Sequence, residues 1–70
     1  MENKTGFSEN LKSLRKTQGL DQGALAKALS VTDKTISHWE TGYTEPSISQ
    51  IIALANFFDV TIDELVDRKK

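Results

Sequence analysis

The chain has no cysteine, no excess of either charge and no long apolar run, and each lack removes a class of protein. Without cysteine there is no disulfide scaffold and no thiolate metal site, so apolar packing must hold the fold, and a reducing cytoplasm is the expected setting. No stretch approaches the ~20 apolar residues needed to cross a bilayer, and Met1 to Gly6 contain no signal-peptide core, so a soluble protein without a membrane partner is expected. The chain has one histidine, no ordered group of metal ligands and no Gly-rich phosphate loop, so no enzyme, cofactor or catalytic residue is expected. Strand signals are also missing: the only β-branched run, Val60, Thr61 and Ile62, has a helix cap in its middle. There is no internal repeat.

Seventy residues, 37% of them hydrophobic, make one small domain, because two cores would not both close at this size. Ordering costs roughly 1.5 kcal/mol per residue against about 25 cal/mol per Å² of apolar burial, so only efficient packing suffices. An all-α bundle with short loops meets that demand. The net charge of −1 divides unevenly, with +2 over residues 1–20, −2 over 21–46 and −1 over 47–70. A strongly basic face, the usual footprint of a nucleic-acid binder, is absent, and any phosphate binding must come from a few placed groups.

Five helices are predicted. Phe7, Leu11 and Leu14 recur at i, i+4 and i+7, and Gly19 stops that helix after Gln18. Asp21 is an N-cap ahead of Gln22, and the second helix runs to about Leu29. Thr32 caps a third, which turns Ile36 and Trp39 inward and stops at Gly42. Ser47 with Gln50, and Thr61 with Glu64, are capping boxes that open the fourth and fifth. The fourth carries Ile48, Ile51, Ile52, Leu54, Ala55, Phe57 and Phe58, a band wide enough to supply most of the remaining core. The fifth carries Ile62, Leu65 and Val66. Residues 1–6 read as a flexible arm, 7–66 as the domain, and 67–70 as a polar tail or the start of a linker.

The centre of this pattern is Gln22 to Gly42, two helices joined only by Ser30, Val31 and Thr32. Leu25, Ala26, Leu29, Val31, Ile36 and Trp39 fall on facing sides, while Asp33, Lys34, Ser37, His38 and Thr41 fall together on the other side of the second helix. The string runs LRK, then GL.Q, LA..L, V....IS.WE.G, a proline and an FF.V..DEL ending. It resembles the Cro/C1-type helix-turn-helix family, the DNA-binding domains similar to the lambda and 434 repressors (XRE-type regulators), over about residues 7–66.

That resemblance implies a compact five-helix lambda-repressor-like fold with the helix-turn-helix in helices two and three. It implies a sequence-specific transcriptional regulator, a repressor, that reads double-stranded operator DNA through the major groove and acts as a homodimer. Asp33, Lys34, Ser37 and His38 match positions that reach base edges, and Gln22, Thr32, Thr41 and Tyr43 are the expected phosphate contacts. His38 near a phosphate would take up a proton and couple binding to pH. Arg15 and Glu40 match a partly buried ion pair between helix one and the reading helix. Ser30 stands where the family usually has glycine, which implies a left-handed serine. The loop from Thr41 to Glu45 lacks the family's usual basic residues, so weak binding by the monomer is expected. Dimerisation is assigned either to helix five, through exposed apolar residues such as Leu65, or to a sensor or effector domain beyond residue 70. The competing function keeps the scaffold as a protein-interaction module, an antitoxin or adaptor, with little or no DNA binding.

Overall fold

The computed structural model describes residues 6–66. They form α1 (Gly6–Thr17), α2 (Gln22–Leu29), α3 (Asp33–Thr41), α4 (Ile48–Phe58) and α5 (Ile62–Val66). Residues 1–5 of the expected arm and the expected tail 67–70 lie outside the described residues, and Gly6 is the first residue of α1. No described helix is long and apolar enough to cross a membrane.

The starts of α2, α3, α4 and α5 read directly from local chemistry. Asp21 accepts from the Ala24 amide at 2.7 Å and Thr32 from the Thr35 amide at 3.2 Å. Ser47 and Gln50 exchange reciprocal side-chain to backbone bonds of 3.2 and 2.8 Å, and Thr61 and Glu64 do the same at 3.0 and 2.9 Å.

The helix ends share one device. After α1, α2, α3 and α4 the residues Gly19, Ser30, Gly42 and Asp59 take left-handed backbone angles, with φ of 73°, 61°, 82° and 58°. In every case the next residue sends its amide back to a carbonyl five positions earlier: Leu20 to Arg15, Val31 to Ala26, Tyr43 to His38 and Val60 to Ala55, at 3.1, 2.9, 2.9 and 3.0 Å. This is the Schellman arrangement, which satisfies the last carbonyls and turns the chain sharply. Ser30 therefore carries the left-handed backbone that its position implies.

Phe7, Leu11, Leu25, Ala26, Ile36, Trp39, Leu54, Ala55, Phe58 and Leu65 form one core, with Leu14, Leu29, Val31, Ile51 and Val60 packed against it. Helix α3 packs on α1 and α2, α4 on α2 and α5, and α5 on α1. Two expectations need correction. Helix α4 gives Leu54, Ala55 and Phe58 to the buried core, with Ile51 packed against it, but Ile48 is 75% exposed and Ile52 and Phe57 also face out. The helix packs on both α2 and α5, and among the described residues Ile48, Ile52 and Phe57 stay outside the buried core. Leu65, expected as an exposed dimer contact, is fully buried; Ile62 and Val66 are the exposed apolar residues of α5. A five-residue helix cannot stand alone, and α5 is fixed by Leu65, by its capping box and by Asn10 of α1. The Asn10 side-chain amide donates to the carbonyls of Glu64 and Leu65 at 3.1 and 3.0 Å.

Candidate nucleic-acid interface

The three-residue turn between α2 and α3 sets the direction of α3. Ser30 reverses the chain, Val31 drops against the core, and Thr32 opens the new helix. Behind α3, Ile36 and Trp39 are buried. On the other side Asp33, Lys34 and Thr41 are exposed and Ser37 and His38 are half-buried, so the face expected to read bases does point away from the core. Thr32 has a second local bond besides its cap, to the Thr35 hydroxyl at 3.0 Å, and this commits its side chain to the helix start.

A buried charge network supports α3 from behind. The Arg15 guanidinium donates from Nε to Glu40 Oε2 at 2.6 Å and from Nη2 to Glu40 Oε1 at 3.1 Å, a bidentate pair in which Arg15 is 9% and Glu40 2% exposed. Arg15 also donates to the Leu20 carbonyl at 2.8 Å. The Gln22 amide donates to Glu40 Oε1 at 3.1 Å, which brings the first residue of α2 into the same network. The Glu40 hydrogen bond raises the Arg15 pKa above its ordinary value, burial opposes that rise, and the charges of Glu40 and Asp21 add to it. A raised cation contributes its stability at every pH below its unfolded value, so this contribution is constant through the neutral range and is lost only in strong alkali.

The Gln22–Glu40 bond has no signal in the sequence. The two residues are 18 positions apart and meet only because α2 and α3 cross, and a glutamine at a helix start otherwise reads as exposed. Gln22 is instead half-buried, with one amide hydrogen used and one left over.

At the far end of α3 the donors converge on one atom. The His38 carbonyl accepts from the Tyr43 amide at 2.9 Å, the Thr44 amide at 3.3 Å and the Thr41 hydroxyl at 3.2 Å. Thr41 therefore donates to a phosphate only by giving up a bond it already has. The Tyr43 ring lies 4.7 Å from the His38 ring, centroid to centroid, at a 56° tilt, and Tyr43 is 75% exposed.

The shape of this unit has a direct counterpart in known proteins. A helix-turn-helix family model matches residues 11–65. The chain belongs to the Cro/C1-type helix-turn-helix family. Among curated relatives, the HTH-type transcriptional activator BcrR of Enterococcus faecalis is 42% identical over 60 residues, covering 86% of this chain and 29% of BcrR. Two further relatives are matched over 52% and 53% of their lengths, so the chain spans between about a third and half of the curated regulators it resembles. Among solved structures, the P22 c2 repressor in complex with a synthetic operator superposes with a TM-score of 0.82 at 31% identity, covering 87% of this chain and 92% of that one. Hydroxypropylphosphonic acid epoxidase from S. wedmorenis superposes with a TM-score of 0.81 at 35% identity, covering 89% of this chain but only 33% of the epoxidase. The fold thus fills most of a solved repressor chain and one part of an enzyme, and function has to be argued from the surface of α3.

Proposed function

We propose that this Cro/C1-type domain binds operator DNA as the reading unit of a cytoplasmic transcriptional repressor, with α3 in the major groove. The observation that carries the reading is the outward polar face of α3, held from behind by Ile36, Trp39 and the Arg15–Glu40 pair. Lys34 donates to guanine O6 and N7, Asp33 accepts from cytosine N4, and Ser37 and His38 bond further along the base edges. Phosphates fall to Gln22, through its remaining amide hydrogen and the free amides of the first turn of α2, and to the Tyr43 hydroxyl. Thr32 and Thr41 contribute less, since each exchanges an internal bond for an external one.

A single helix reads few base pairs, so the domain works as a homodimer on half-sites about one helical turn apart. Occupancy of the operator is then sufficient for repression. The similar proteins include an activator, BcrR, and a repressor, P22 c2.

Selection of bound sequences from a random duplex pool tests the reading: an enriched motif with paired half-sites is expected, and no enrichment at low salt would overturn it for the domain. The −2 charge over residues 21–46 favours one competing use, a protein-binding module. That use predicts no binding to random duplex DNA even at low salt.

A further inference from the structure

The four Schellman ends differ in one respect. In this motif the residue after the left-handed one is brought against the side chain five positions before it. At α1, α2 and α4 that residue is Leu20, Val31 or Val60, each half-buried. At α3 it is Tyr43, which is exposed and has its ring on His38. The same backbone device that at α2 and α4 packs Val31 and Val60 against the core here sets an aromatic ring beside a side chain on the outward face of α3.

From this we infer that Tyr43 is a positioning residue for His38: its ring restricts the imidazole to the orientation in which it meets a base edge, and so contributes to which base pair is preferred. The inference rests on the reading of His38 as a base contact. The backbone leaves Tyr43 little choice of place, because Gly42 has a φ of 82° and the Tyr43 amide is bonded to the His38 carbonyl at 2.9 Å. Two rings at 4.7 Å and 56° meet in the tilted geometry that aromatic pairs favour, and a ring pinned on one side has fewer rotamers open to it. Fixing a side chain before binding removes an ordering cost from the complex, and that gain falls on the base pair that the side chain touches. The Tyr43 hydroxyl has a separate part as a phosphate donor, and the two roles are separable because one belongs to the ring and the other to the oxygen.

The test uses wild type, His38→Ala, Tyr43→Ala and Tyr43→Phe, with relative affinities measured for a selected operator and its single-base variants. His38→Ala is expected to abolish a preference of roughly five- to tenfold at one base pair, the lower end of what a placed side chain gives at a base edge. Tyr43→Ala is expected to bring the same base pair to within about twofold of indifference, since an unpinned imidazole no longer favours one edge. Tyr43→Phe is expected to keep the preference while weakening all sequences alike. A preference kept in Tyr43→Ala, or lost equally in Tyr43→Phe, overturns the positioning role alone. A His38→Ala variant with unaltered preferences overturns it together with the base-contact reading. The free protein gives an independent check, because His38 is the only histidine and its imidazole protons are identified without assignment. Their ring-current shift should disappear in Tyr43→Ala and persist in Tyr43→Phe; no shift in wild type overturns the inference whether or not DNA binds.

Discussion

Glu40, with 2% of its surface exposed, is held in this core by three donors from two other helices that converge on its carboxylate. Glu40 cannot lose Arg15 without leaving a buried negative charge, so Arg15→Ala is expected to destabilise the domain by about 3–5 kcal/mol, measurable as a lower urea midpoint. Replacing both partners by apolar residues of similar volume should recover most of that loss; a double variant as unstable as the single one would show that the hydrogen bonds, and not the stranded charge, carry the cost. Ser30 and Asp59 give a prediction of the opposite sign. Both adopt a left-handed backbone that suits glycine, but aspartate tolerates it better than serine. Ser30→Gly should raise stability by about 0.5–1 kcal/mol and Asp59→Gly by less, read as a rise of a few degrees in the thermal midpoint.

What could be read at this scale depended on distance along the chain. Caps link residues three apart, so Asp21, Thr32, Ser47 and Thr61 could be named from sequence. The bonds Gln22 to Glu40 and Asn10 to the end of α5 span 18 and about 55 positions and come into being only with the fold.

At the scale of elements, α2, α4 and α5 each respond to a different force. Gly23 sits in the first turn of α2, yet a Cβ built there meets only Asp21 Oδ1 at 3.6 Å, an ordinary contact. Internal packing therefore does not require glycine at that position. Gly23→Ala should stabilise the helix by about 0.5–1 kcal/mol and, if α2 approaches a phosphate, weaken DNA binding at the same time. A variant that gains stability and keeps full affinity would count against a phosphate at that end. For α5, Asn10→Ala should lower the hydrogen-exchange protection of residues 62–66, because it removes the side-chain bonds to the Glu64 and Leu65 carbonyls. The apolar pattern of α4 misled for a simple reason: ISQIIALANFF is apolar on nearly every side, so periodicity could not tell which stripe the rest of the molecule would cover. With few helices available, the outer flanks stay bare at Ile48, Ile52 and Phe57.

At the scale of the whole molecule, the electrostatic field argues for modest affinity. With a net charge of −1 and Lys34 as the one cation among the proposed contacts, binding to random duplex DNA should weaken with salt at a log–log slope of about −1 per domain. A slope several units steeper would mean that lysines or arginines outside α3 supply the phosphate contacts. The fold class and the outward face of α3 were legible because they follow from capping and from period. The small net charge was equally legible, since charge can be counted without a structure.

Trp39 and Tyr43 are the only tryptophan and tyrosine of the chain; Trp39 lies in α3 with 2% of its surface exposed, and Tyr43 follows the Gly42 cap of that helix with 75% exposed. The helix and the turn that ends it therefore carry one natural fluorophore each, one seeing the interior and one the solvent. Indole emission follows the loosening of its inner side, and phenol emission follows whatever arrives at its outer end. Optical signals from one unlabelled domain thus separate the melting of its interior from the occupation of its surface.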